Sequence, residues 1–190
     1  MLHARVLLSV SAVLAAVACL ASAPVAAQAA AAKPTDEQLI ASAMRAAIPA
    51  ISKDAAVIDL NADGTARTVR KGTNGWTCLA DNPVTPGPDP MCADAGAMEW
   101  VNAWVNHLAP PKGKLGIAYM LEGGTDASNT DPYATAPAPG NHWVKTPPHI
   151  MVVGSAAMMA GMPRKPDPDT SKPYVMWADT PYEHLMVPVH

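Results

Sequence analysis

Beyond residue 29 the chain keeps two cysteines, Cys78 and Cys92, and the segment between them, Leu79–Met91, carries Pro83, Pro86, Pro88 and Pro90. Proline has no backbone N–H to donate, so hydrogen bonds alone would fix such a loop poorly. An isolated pair of this kind is expected to form a disulfide, and closing about 15 residues stabilises a fold by roughly 3 kcal/mol. The spacing resembles neither C-x-x-C nor a zinc knuckle, which argues against a redox or metal thiol pair.

A structural disulfide calls for an oxidising compartment, and the N-terminus points to one. His3 and Arg5 precede the apolar run Val6–Leu20 and the small-residue series Ala21–Ala29. Basic, apolar and small segments in that order are the pattern of a signal peptide, with Ala27-Gln28-Ala29 as the cleavage site. The expectation is a signal peptide over 1–29, one domain over 30–190 containing the closed loop 78–92, and a periplasmic or secreted location. A membrane span needs about 20 apolar residues, so no membrane insertion is expected after cleavage. Cys19 after Ala16-Val17-Ala18 raises lipidation as an alternative, although no aliphatic residue stands three places before it.

Thirteen Lys and Arg against sixteen Asp and Glu, with no basic cluster, offer nothing to nucleic acid. The chain has no Phe and eleven Met. Flexible, polarizable thioethers are therefore expected to fill core space that phenyl rings would fill elsewhere.

Thr35-Asp-Glu-Gln38 reads as a capping box opening a helix to about Ala47. Ala56–Leu60, Thr65–Lys71 and Trp76–Leu79, separated by turn residues including Asp63-Gly64 and Asn74-Gly75, read as an antiparallel meander. Asp94 caps a helix of about 14 residues ended by Pro110-Pro111. Lys114–Leu121, His149–Val153, Tyr174–Trp177 and His184–Val189 read as strands, 122–141 as a long polar loop, and Ser155 as the cap of a short helix at Ala156–Ala160. The implied class is α+β, a mainly antiparallel sheet with a few short helices packed on it.

The best chemical lead is a duplicated pattern: Trp143-Val-Lys-Thr-Pro-Pro-His149-Ile-Met151 and Trp177-Ala-Asp-Thr-Pro-Tyr-Glu-His184-Leu-Met186. In a strand, residues i and i+2 share a face. His149 with Met151, and His184 with Met186, would then present imidazole and thioether donors, a set suited to copper and above all Cu(I). This leads to an exported small binding protein for a small ligand or metal, with His149, Met151, His184 and Met186 as metal ligands. One alternative is a hydrolase using His149 and His184 as acid and base with Glu183 nearby; another is a structural or partner-binding domain whose Met and His simply pack.

Other motifs are incomplete. Asp59-Leu-Asn61-Ala-Asp63-Gly64 begins like a calcium loop but reaches Arg70 where the bidentate carboxylate belongs. Val153 and Ala157 flank Ser155 where a nucleophile elbow has glycines. Trp100, Trp104 and His107 form one helical stripe, read as large core residues. The two His segments are similar to the paired histidine motifs of two-histidine phosphoesterases, but Met151 and Met186 stand where hydroxyls would hold phosphate, and a thioether donates no hydrogen bond.

Lys71-Gly-Thr-Asn-Gly-Trp-Thr-Cys78, Pro86-Gly-Pro-Asp-Pro-Met-Cys92, Gly123-Gly-Thr-Asp-Ala-Ser-Asn-Thr-Asp-Pro-Tyr133 and Lys172-Pro-Tyr-Val-Met-Trp177 together resemble a group of exported bacterial proteins of unassigned activity. The resemblance spans nearly all of 30–190. It implies a single secreted domain and carries no site residue.

Overall fold

A sheet of eight strands organises residues Pro34–His190, which form one compact unit. The computed structural model describes residues 33–61 and 64–189; the expected signal peptide, its cleavage site and Cys19 lie outside the described residues. Strands β1 (Ala56–Leu60), β2 (Ala66–Arg70), β3 (Thr77–Leu79), β4 (Met91–Ala93), β5 (Gly116–Met120), β8 (His149–Val153), β9 (Tyr174–Met176) and β10 (His184–Pro188) run in the order β2-β1-β3-β4-β5-β8-β10-β9. Strands β6 (Gly124–Asp126) and β7 (Val144–Thr146) form a separate antiparallel pair. With α1 (Asp36–Ala43), α2 (Pro49–Ser52) and α3 (Ala95–Val105), the class is α+β with a mainly antiparallel sheet.

Helix α1 starts at the capping box: the Gln38 amide donates to Thr35 Oγ1 and the Thr35 amide to Gln38 Oε1. It ends sooner than its apolar spacing predicts, passing into a 3-10 turn at Met44–Ala46 before Pro49 opens α2. Around it Ala43, Ala46, Val57 and the half-cystines make a small core on one face of the sheet. Cys78 and Cys92 are bonded, 4.0 Å apart at Cα, and stand opposite each other on β3 and β4.

The expected meander is only half present. β1 and β2 form the antiparallel hairpin, but β3 lies beside β1 in parallel. The turn residues specify the hairpin locally; the disulfide ties β3 to β4, and β1 is the edge left for it. Within the hairpin Asp59 pairs with Arg67, at 3.2 Å, which commits the first oxygen of the calcium-like loop to a salt bridge.

Helix α3, capped by Asp94 accepting from the Ala97 amide, crosses the other face of the sheet. It is shorter than expected, and His107 lies beyond its end with φ 55°. Ala156–Met159 is a 3-10 turn, and the Ser155 side chain makes no capping bond there. Among the described residues no helix is long and apolar enough to cross a membrane. The disulfide suits an oxidising compartment.

Candidate functional site

The two His-x-Met strands are neighbours. β8 and β10 pair antiparallel with Met151 opposite Met186, His149 opposite Pro188 and His184 opposite Val153. All four donors therefore share the sheet face that α3 covers. The register places the histidines at opposite ends, four residues or roughly 13 Å apart along the strands.

Each imidazole is fixed in the same way. His149 Nδ1 lies 2.8 Å from Pro147 O, and His184 Nδ1 lies 2.9 Å from Tyr182 O. A carbonyl only accepts, so each Nδ1 carries the hydrogen and each Nε2 keeps its lone pair. Both Nε2 atoms are buried and lack a hydrogen-bond partner among the described residues. The rings are 0% and 1% exposed. Burial holds both pKa values down at about 4, against a smaller opposing effect of the carbonyl bond; the charge of His149 lowers His184 further. A neutral imidazole oriented by a backbone carbonyl, with the second nitrogen bare, is the usual state of a histidine ready to bind a metal.

A cavity of about 200 Å³ opens over this face, lined by His184 and by the thioethers of Met151, Met176 and Met186. Trp100, Trp104 and Trp177 wall it. Trp100 and Trp177 meet the His184 ring at steep angles, with centroids 5.1 and 5.0 Å away. Trp177 reaches this position through its backbone. Met176 faces the cavity, so a continued strand would turn residue 177 away; φ of 52° at Trp177 breaks the alternation. Such a conformation costs a bulky residue on the order of 1–3 kcal/mol.

The segment 122–141 supplies the support. Its Ser128 carbonyl accepts from Trp177 Nε1 at 3.1 Å, and its Pro132 carbonyl accepts from Trp104 Nε1 at 3.0 Å. The Asn129 carbonyl receives the Trp177 amide, while Asn129 Nδ2 donates to Lys165 O and Val175 O. Expected as one long loop, 122–141 opens with strand β6, and the loop that follows it clamps two walls of the cavity.

Two carboxyl groups that the sequence does not connect to the histidines join the site. Asp126, from β6, and Asp89, from the disulfide-closed loop, both line the cavity. Burial, and then the charge of Asp89, pushes Asp126 up to about 7. Burial also raises Asp89 to about 6, with bonds from the Asn82 amide and the Thr85 hydroxyl opposing. In the sequence Asp126 falls within the polar stretch 122–141, where nothing local links it to the histidines.

Glu183 is placed elsewhere. Its carboxylate accepts from Arg164 and from the Asp179 amide, and it lines a separate surface hollow. His149 does not line the cavity either; its ring lies beneath Gly124 of β6. As an acid and base pair the two imidazoles would start from the same protonation state, each with its one hydrogen committed. Among the described residues no three His, Cys, Asp or Glu side chains are grouped to hold a metal ion. Any metal on this face must draw on thioethers.

Comparison of the chain with protein-family models, with curated proteins and with solved structures finds no match.

Proposed function

We propose that this chain is an exported, periplasmic or secreted, binding protein for a soft metal ion, Cu(I) first, with His184 Nε2 and the thioethers of Met186 and Met176 as ligands. The observation that carries the reading is the bare, buried Nε2 of His184 on a methionine-lined cavity. Met176 stands directly opposite His184 on β9, and Met186 is two residues along β10. An imidazole nitrogen and two thioethers form the neutral, soft set that Cu(I) favours. With the imidazole pKa near 4, no proton competes for the nitrogen at neutral pH. The tryptophan walls add π faces that attract a cation and exclude water.

Anaerobic titration of the purified protein with Cu(I), against a chromophoric Cu(I) chelator, tests this. Stoichiometric binding with quenching of tryptophan fluorescence is expected. Met176→Leu and Met186→Leu keep volume and fold but should weaken binding at this site at least tenfold. Absence of binding, or binding indifferent to both substitutions, would return the cavity to ordinary core packing.

A further inference from the structure

We infer that the chain carries a second soft-metal site, made of His149, Met120 and Met151, related to the first by a local two-fold axis through the Met151–Met186 pair. The inference rests on the function proposed above and adds a second equivalent of Cu(I) to it.

The symmetry follows from register. An axis normal to the sheet between Met151 and Met186 exchanges antiparallel β8 and β10, carrying His149 onto His184. The outer strands follow. Met120 on β5 stands directly opposite His149, as Met176 on β9 stands opposite His184. The trio Met120, His149, Met151 thus maps onto Met176, His184, Met186. Directly opposite residues have Cβ atoms roughly 5 Å apart, and residues two apart on one strand roughly 7 Å, within reach of a three-torsion thioether.

The chemistry repeats with the geometry. Both rings give Nδ1–H to the carbonyl two residues back, and both leave a buried Nε2 without a partner among the described residues. A single orphaned nitrogen costs free energy that a Leu at the same place would not. Its occurrence twice, at symmetry-related positions with thioethers alongside, argues for a ligand at each.

The second site also has direct evidence of convergence. A Cβ placed on Gly124 would lie 3.3 Å from His149 Cε1 and 3.3 Å from Met120 Cε, so ring and thiomethyl both border the same small space beneath β6. Met120 and Met151 also line the cavity, so the second site adjoins the first through their side chains. The sites differ in cover: tryptophans stand over His184, and a glycine of β6 stands over His149.

The test is Cu(I) titration of the purified protein, read by chelator competition together with ¹⁵N NMR of the histidine ring nitrogens. Two equivalents are expected, with the Nε2 resonances of both His149 and His184 shifting. Met120→Leu should leave one equivalent and the His184 shift intact; Met176→Leu should leave one equivalent and the His149 shift intact. Gly124→Ala, which wedges a methyl between ring and thioether, should act like Met120→Leu. Should that variant not fold, Met120→Leu decides alone. One equivalent in the unaltered protein with His149 Nε2 unmoved overturns the second site and leaves the first standing. A protein that binds no Cu(I) overturns both.

Discussion

Gly96, in the first turn of α3, lies against Gly116 of β5 with no room for a side chain on either. A Cβ on Gly96 would fall 2.2 Å from Leu115 O, and one on Gly116 would fall 2.2 Å from the Ala97 amide nitrogen. The obstructing atoms are backbone, so neither side can yield by a change of rotamer. This contact sets the height of α3 over the sheet, and therefore how deeply Trp100 and Trp104 descend onto the methionine face.

Gly116→Ala is accordingly expected to lift the start of α3 and to destabilise the protein by about 3 kcal/mol, the upper range of overpacking costs. Urea unfolding followed by circular dichroism gives the stability. The native tryptophan emission should shift to the red as the indoles gain water; an unchanged spectrum and midpoint would contradict this account of the helix position.

The buried histidines make the protein acid-sensitive. Each ring has its folded value lowered to about 4, chiefly by burial, from an ordinary value of 6.5. A lowered folded value means that the contribution is fully present above pH 6.5 and is lost as pH falls towards 4. The linkage amounts to on the order of 3 kcal/mol per ring. Proton NMR should find the His149 and His184 imidazoles silent between pH 7 and 5 in the folded protein, and denaturation midpoints should drop as pH falls over that interval. Two normal titrations near 6.5 from His149 and His184 would refute it.

Asp126 works in the opposite sense. Its folded value is raised to about 7 from 3.8 by burial first and the charge of Asp89 second. Its contribution is present below 3.8 and disappears as pH rises through 7. Asp126→Asn should therefore match the unaltered protein near pH 4 and exceed it at pH 8, by about 2 kcal/mol after discounting for partial exposure to the cavity. Paired denaturation curves at the two pH values measure the difference, and a constant offset would count against the assignment.

Opening the Cys78–Cys92 bond should do more than loosen a surface loop. The closed segment brings Asn82 and Asp89 to the cavity, so Cys78→Ala with Cys92→Ala is expected to cost about 3 kcal/mol of stability and to weaken binding of any ligand there. Calorimetry of the double variant, with and without added ligand, gives both quantities.

The features readable along the chain are those specified within a few residues. Thr35 and Gln38 cap each other, Asp94 bonds the amide three places on, and the period of two in His149-x-Met151 and His184-x-Met186 puts each pair on one face of its strand. The cysteine spacing likewise suits the bond that joins β3 and β4. Ser155 shows where such signals mislead: its position suited a cap, yet the turn behind it is 3-10 and takes no bond from its side chain.

The tertiary structure decided everything that depends on which distant segments meet. Only pairing sets Met120 opposite His149 and Met176 opposite His184. Only the fold of 122–141 brings Asp126 to Asp89 and clamps Trp177 and Trp104 from behind. β3 lies parallel to β1 although the local turns suggested a meander. The reason is physical: caps, turns and face alternation are energies of neighbouring residues, whereas strand order and register are chosen by how whole faces bury against one another.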